Sequence, residues 1–418
     1  MMTKNALGAL SAFAVFAAGA AQAVELEFMV SGEDSKIAVW TELIERYKEV
    51  APDVTINMNQ VGYNVIRDQL PVQLEAGTGP DMATITSIGG LNPFYLDITP
   101  YVDAGYWEAA YGSVLPWYRA GKPDGIHGWH TEMTVTGPYV NRTLFEEAGV
   151  ELPAPGASWD EWADAAADVQ DNLDLYAGMV MDRSGHRFAG PAMSYGAKYF
   201  DDAGNFAVDE GFIDFAERMI DWHASGLMPP DIWPAAGGQT YANGNELFFG
   251  EEVAFYMSGS WNIGNVADTV GDAFDWSVVP VPCGPAGCGV MPGGSGLVAF
   301  AATEHPEEVA AFIDWMAQTD IAGEYYARTF QIPAHTELQQ AGLDYAGAGA
   351  SEAVEEGLNL FAQMVGQAAV DTPQAFRAQG DPRNTVMFNA TIKYLPEVMN
   401  GDLTLDEALD NIREEIAN

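Results

Sequence analysis

Short polar and aromatic residues gather at the carboxyl ends of the expected strands, and their chemistry suits the holding of hydroxyl groups. Glu33 follows the first strand in Ser31-Gly32-Glu33-Asp34. A carboxylate there can accept paired hydrogen bonds from vicinal hydroxyls, or simply face solvent. Tyr63 lies between a strand and a helix in VGYN, and Thr86 and Ser87 end the third strand. Trp261 follows the small turn Ser258-Gly259-Ser260. Its ring is the leading platform for an apolar C–H face, the other reading being a tryptophan packed at a domain edge. Gly293, Gly294 and Ser295 either let backbone amides approach a ligand or form a tight turn with positive φ. His130, with Glu132 in Trp129-His130-Thr131-Glu132, and the loop residue Trp233 are further candidates for lining such a cleft. Arg377, in PQAFRAQGDPRN, is a scarce cation that suits either an anionic ligand or a surface ion pair.

Catalytic signatures find no match. Gly293-Gly294-Ser295-Gly296-Leu297 lacks the last glycine of a nucleophile elbow. The six histidines form no HExxH, and no phosphate loop with GKS or GKT is present. Carboxylate spacing carries no information in a chain with 60 acidic residues. No metal and no cofactor is expected. The two cysteines, Cys283 and Cys288, lie close together in PCGPAGCG. A disulfide in an oxidising compartment suits them better than a metal site, which would need more ligands.

The formal charge of −43 excludes nucleic acid as a natural partner. Such self-repulsion is screened where the Debye length is short, so the composition points to a saline habitat. Residues 1–23 read as a secretion signal: Lys4, an apolar run from Ala6 to Ala20, and the small-residue site Ala21-Gln22-Ala23. That run is too short for an anchor, and no later segment reaches the roughly 18 apolar residues of a membrane span. A free, monomeric periplasmic protein is the expectation.

The elements that position these residues alternate. Glu25 to Val30 is a strand, Lys36 to Val50 an amphipathic helix, Val54 to Met58 a strand, Asn64 to Ala76 a helix and Ala83 to Thr86 a strand. This is the grammar of a parallel α/β sheet. Further on, Val253 to Met257 and Gly296 to Phe300 read as strands, with a helix from Pro306. Ser158 with Glu161 and Thr404 with Glu407 are capping boxes that open two helices. The length is too great for one ordinary core, and no flexible linker divides it, so two lobes crossed several times are expected.

Several segments carry a family resemblance: APDVTINM, LEAGTGPDMATI, YVNRTLFEEAGVELPAPGASWDEW, GEEVAFYMSGSW, GGSGLVAF and the final YLPEVMNGDLTLDEALDNIREEIAN. In this order they resemble family 1 extracellular solute-binding proteins, the sugar-binding subunits of bacterial ABC importers. The resemblance implies a two-lobed Venus-flytrap α/β fold with three crossings. Lobe one would be 24–133 plus 282–320, and lobe two 137–279 plus 325–418. It implies a sugar, oligosaccharide or polyol as ligand and two permease subunits as partners. Three alternatives stay open: an anionic ligand such as glycerol phosphate or a sulfonated sugar, a sensory rather than importing role, and a secreted carbohydrate-active enzyme. The turn Met29-Val30-Ser31-Gly32 departs from relatives that place a tryptophan there, and the cysteine loop is not a general family feature.

Overall fold

The computed structural model of the protein describes residues 23–119, 124–235, 241–367 and 372–417. The expected secretion segment, but for its last residue, lies outside them. Among the described residues no helix is long and apolar enough to cross a membrane.

The amino-terminal segments form the expected strand-helix-strand units. β1 (Val24–Val30), β2 (Val54–Gln60) and β3 (Met82–Ile85) are parallel, with β1 between the other two. The helix Asp34–Tyr47 covers them because Val39, Trp40, Leu43, Ile44 and Tyr47 recur at helical spacing and are buried. The expected helix at 64–76 is instead a π-helical turn, Val65–Gln69, followed by a short α-helix, Leu70–Glu75.

One strand joins the two halves of the molecule. β4 (Gly128–Asn141) is fully buried along its 14 residues. The other strands are β5 (Met179–Met181), β6 (Phe255–Gly259), β7 (Trp276–Val278), the short pair β8 (Cys283–Gly284) and β9 (Gly287–Cys288), and β10 (Pro292–Ala299). The first part of β4 pairs with β10, from Gly128 to Val135; the second pairs with β6 and β7. The sheet therefore runs β2-β1-β3-β10-β4-β6-β5, with β7 also on β4. Lobe one is built on the β10 side and lobe two on the β6 side.

The packing redraws the expected lobe boundaries. Residues 283–290 pack on lobe two: the Cys283 amide donates to the Ala157 carbonyl and the Ala286 amide to that of Ser194. Cys283 and Cys288 are joined as a disulfide across the β8–β9 pair. Residues 325–341 pack on lobe one, not two. Tyr325 and Tyr326 lie against Trp129, and Thr336 donates to the Ala110 carbonyl. The helix Glu352–Gln367 then packs on β7 and β4. The helix Thr372–Gly380 touches lobe one again: Phe376 meets Trp117, and the Gly89 amide donates to the Gln379 carbonyl.

Candidate ligand-binding cleft

A cavity of about 630 Å³ opens between the lobes over β4 and β10. Lobe one supplies Ser31, Gly32 and Glu33 after β1, Tyr63 after β2, and Thr86 and Ser87 after β3. The floor is Thr131, Glu132 and Thr134 of β4 with Gly293, Gly294 and Ser295 of β10. Lobe two supplies His186 and Arg187, the loop residues Tyr241 and Asn243, Asn245 at the start of the short helix Asn245–Phe249, and Trp261 and Phe388.

The floor is a closed polar unit. Lys36 Nζ lies 3.0 Å from Glu132 Oε2, and Ser295 Oγ donates to Glu132 Oε1 at 2.9 Å. Thr131 and Ser295 share a 2.6 Å hydrogen bond. Burial alone would lower the Lys36 pKa; the Glu132 carboxylate outweighs it, and the ammonium is held above its usual value. Lys36 stays charged at any physiological pH.

Gly293 and Gly294 do not form a turn. β10 begins at Pro292, four residues before the expected strand start, so both glycines pair with β4, opposite Thr134 and Met133. Neither has positive φ. Close approach explains Gly294: a Cβ there would lie 2.2 Å from His130 Nε2. His130 itself sits beneath the floor and does not line the cleft. It is 1 % exposed, its Nδ1 lies 2.8 Å from the Tyr118 hydroxyl, and burial pushes its pKa down to about 3. Glu132, two residues on, takes the cleft position.

Lobe two carries a layered charge network. Asp182, just after β5, is completely buried and accepts from Tyr256 Oη and Ser258 Oγ at 2.7 Å each, the Gly244 amide at 3.0 Å and Tyr241 Oη at 3.2 Å. Burial raises its pKa, opposed by Arg187 and these donors. Arg187, on the helix Gly185–Ser194, stacks its guanidinium over the Trp261 ring, 3.6 Å from the centroid. One arm donates to His186 Nδ1 at 2.7 Å, so the His186 proton is on Nε2, facing the Pro292 carbonyl at 3.1 Å. Burial first, then Arg187, pushes His186 down to about 3. The helix can approach its neighbour because position 185 is glycine: a Cβ there would lie 2.4 Å from the Phe388 backbone.

The lobes touch across the cleft. Tyr63, whose hydroxyl is 2.9 Å from Thr86 Oγ1, packs edge-on against Tyr241 of lobe two. Arg67 donates to Asn389 Oδ1 at 3.1 Å.

Of the residues expected from sequence, Glu33, Tyr63, Thr86, Ser87, Trp261, Gly293, Gly294 and Ser295 come together on this cavity. Two more need correction. Trp233 is buried in lobe two, its indole donating to the Met181 carbonyl at 3.0 Å, because a loop tryptophan with an internal acceptor is a core residue. Arg377 lies on the outside, exposed, with its guanidinium 4.1 Å from the Phe200 ring centroid. The residues that sequence reading missed include Lys36, Arg67, His186, Arg187, Tyr241 and Phe388. Scarcity of positive charge, applied to Arg187 in MVMDRSGHRF rather than to Arg377, could have found the central one.

Comparison with known proteins agrees with this architecture. The sequence model of the family described as bacterial extracellular solute-binding protein matches residues 32–322. A Brucella abortus protein described as a putative binding protein is 22% identical over 356 residues, covering 82% of this chain and 84% of the relative. A Listeria monocytogenes ABC substrate-binding protein in complex with cycloalternan superposes with a TM-score of 0.77 at 17% identity, over 94% of this chain and 98% of that one. A Thermotoga lettingae ABC transporter solute-binding protein bound with α-D-tagatose gives 0.77 at 16%, over 94% and 100%. The GacH receptor of Streptomyces glaucescens, solved unliganded and with acarbose, gives 0.75 at 18%, over 95% and 99%.

Proposed function

This chain belongs to the bacterial extracellular solute-binding protein family, and on that premise we propose that it captures a carbohydrate-like solute between its lobes and delivers it to an ABC importer. The observation that carries the reading is the interlobe cavity, where Trp261, Tyr63 and Phe388 supply apolar faces beside hydroxyl, amide and carboxylate groups. Sugars and polyols present that same mixture of C–H faces and hydroxyls. The size of the cavity, about 630 Å³, suits a ligand of one to a few sugar rings. The sugars named for the similar structures support this class.

Binding and transport are linked by lobe motion. A ligand touching both walls binds the closed arrangement better than the open one and shifts the population toward it. The closed form then docks as a monomer on two permease subunits. No cofactor enters the cycle, and the protein works in the periplasm after removal of residues 1–23. The high acidic charge adapts the surface to a saline medium.

A thermal-shift screen of sugars, polyols and their acidic derivatives in high salt tests the reading, followed by small-angle scattering with the best ligand. A rise in melting temperature together with a smaller radius of gyration is expected. Turnover of an oligosaccharide, or binding without compaction, would contradict it.

A further inference from the structure

We propose that the ligand of this cleft carries an anionic group (a carboxylate, phosphate or sulfonate on a hydroxylated frame) and that Arg187, assisted by Arg67, holds that group. This inference rests on the reading of the cleft as a carbohydrate-like solute site and names the ligand's charge.

The charge pattern of the cleft is the reverse of the chain's. The sequence has 60 acidic and 17 basic residues, yet three cations, Lys36, Arg67 and Arg187, line the cavity against two carboxylates, Glu33 and Glu132. Lys36 and Glu132 satisfy each other. On the lobe-two wall the lining charge is Arg187, and both Arg187 and Arg67 act electrostatically on His186. Among the described residues no acidic residue of that wall lines the cavity.

Arg187 is held ready and left incomplete. It is only 9 % exposed, and its buried Nε, on the side of Asp182, has no hydrogen-bond partner, so the guanidinium is under-compensated where the residue lines the cavity. Its nearest carboxylate, Asp182, is 3.9 Å away, beyond hydrogen-bond reach, because four donors already occupy that carboxylate's oxygens. A guanidinium has five N–H donors in a fixed fork, and one arm is engaged by His186. Trp261 fixes the plane of the fork from one face. A buried cation with one neutral acceptor and a carboxylate 3.9 Å away is under-compensated, and an oxyanion in the cavity offers a second counter-charge as well as paired acceptors. A neutral hydroxyl supplies only one weaker acceptor. Asp182 therefore orients and partly neutralises Arg187 without saturating it. Glu33 and the Glu132–Ser295 unit remain on the lobe-one side for the ligand's hydroxyls.

Calorimetry on the whole protein at fixed ionic strength tests this with matched probes. D-glucuronate and D-glucose 6-phosphate are compared with D-glucose, and glycerol 3-phosphate and 2,3-dihydroxypropane-1-sulfonate with glycerol. At least one anionic probe should bind about 100-fold tighter than its neutral partner. Which of the four wins identifies the anion. Arg187→Gln should weaken that probe by about 100-fold and the neutral partner by only a few-fold, with Arg67→Gln intermediate. Circular dichroism and ligand-free melting establish folding. Should Arg187→Gln misfold, Arg187→Lys keeps the charge but loses the fork and is expected to weaken the anionic probe by about 10-fold. Neutral probes that bind as well as the anionic ones, or an anionic probe indifferent to both arginines, would overturn the inference and leave the solute-receptor reading standing. Absence of binding by every neutral and acidic probe, and by the wider sugar panel, would count against the receptor reading itself.

Discussion

Among the described residues four arginines lie over aromatic rings, and the surroundings of the two nearest their rings, Arg187 and Arg377, make them different devices. Arg187 lies over Trp261 inside the cleft, with His186 beside it and Asp182 behind it. Arg377 lies over Phe200 on the outside, exposed to solvent. The stacking geometry is nearly shared, at 3.6 and 4.1 Å from the ring centroids. What separates the two is the polar layer underneath. An exposed guanidinium is hydrated and its field is screened within a Debye length. A buried one with a pre-aligned counter-ion keeps its field and its orientation. Ring contact alone therefore does not tell the two arginines apart; the layer behind the ring does.

The comparison can be broken most severely from behind. Asp182→Ala removes the acceptor of four donors and the counter-charge of Arg187. It should destabilise the fold by about 3–5 kcal/mol, read by urea denaturation. A loss below 1 kcal/mol would mean that the layer is not cohesive. Acid should attack the inner site next. His186 and His130 have folded pKa values of about 3 against an ordinary 6.5, so between pH 7 and 5 the unfolded state takes up protons that the folded state refuses. Stability is thus full above pH 6.5 and falls as pH drops toward the folded values, while most carboxylates remain ionised. Denaturation midpoints at pH 7 and 5 measure this, and His130→Gln should flatten the slope. Trp261→Ala removes the stacking surface and should weaken ligand by about 1–3 kcal/mol in calorimetry, with little change in ligand-free melting. Arg377→Ala should do least. The expected loss is about 0.5–1 kcal/mol of stability, with binding unchanged. A large binding loss from Arg377→Ala would erase the distinction between the two arginines.

Local rules were readable where local physics decides. Both capping boxes form: Ser158 Oγ accepts from the Glu161 amide, and Thr404 Oγ1 from that of Glu407, with each glutamate reaching back. The helix Pro306–Ala317 buries Val309, Phe312, Ile313 and Met316, the stripe that its spacing indicates. The lobe-one turns after β1, β2 and β3 could be placed for the same reason, since each follows directly from a strand end. The lobe-two wall could not. The helix Gly185–Ser194 contains Pro191, and all its residues but His186 are buried, so it has no polar face to set a period. Scarcity of positive charge pointed to the right residue type and the wrong residue, because burial and partners are tertiary facts. The lobe boundaries failed likewise: nothing local in 325–341 announces that Tyr325 and Tyr326 will pack on Trp129.

The placement of β10 has a consequence for how the chain is made. In the sheet it lies between β3 and β4, but along the chain it follows β9 and begins only at Pro292. Until residue 299 has left the ribosome, lobe one has a gap at its centre, and the facing edges of β3 and β4 stay unpaired. Such edges invite pairing with other chains. A nascent chain of this protein therefore spends most of its synthesis unable to finish its first lobe, and chaperones that hold extended chains would find their target there.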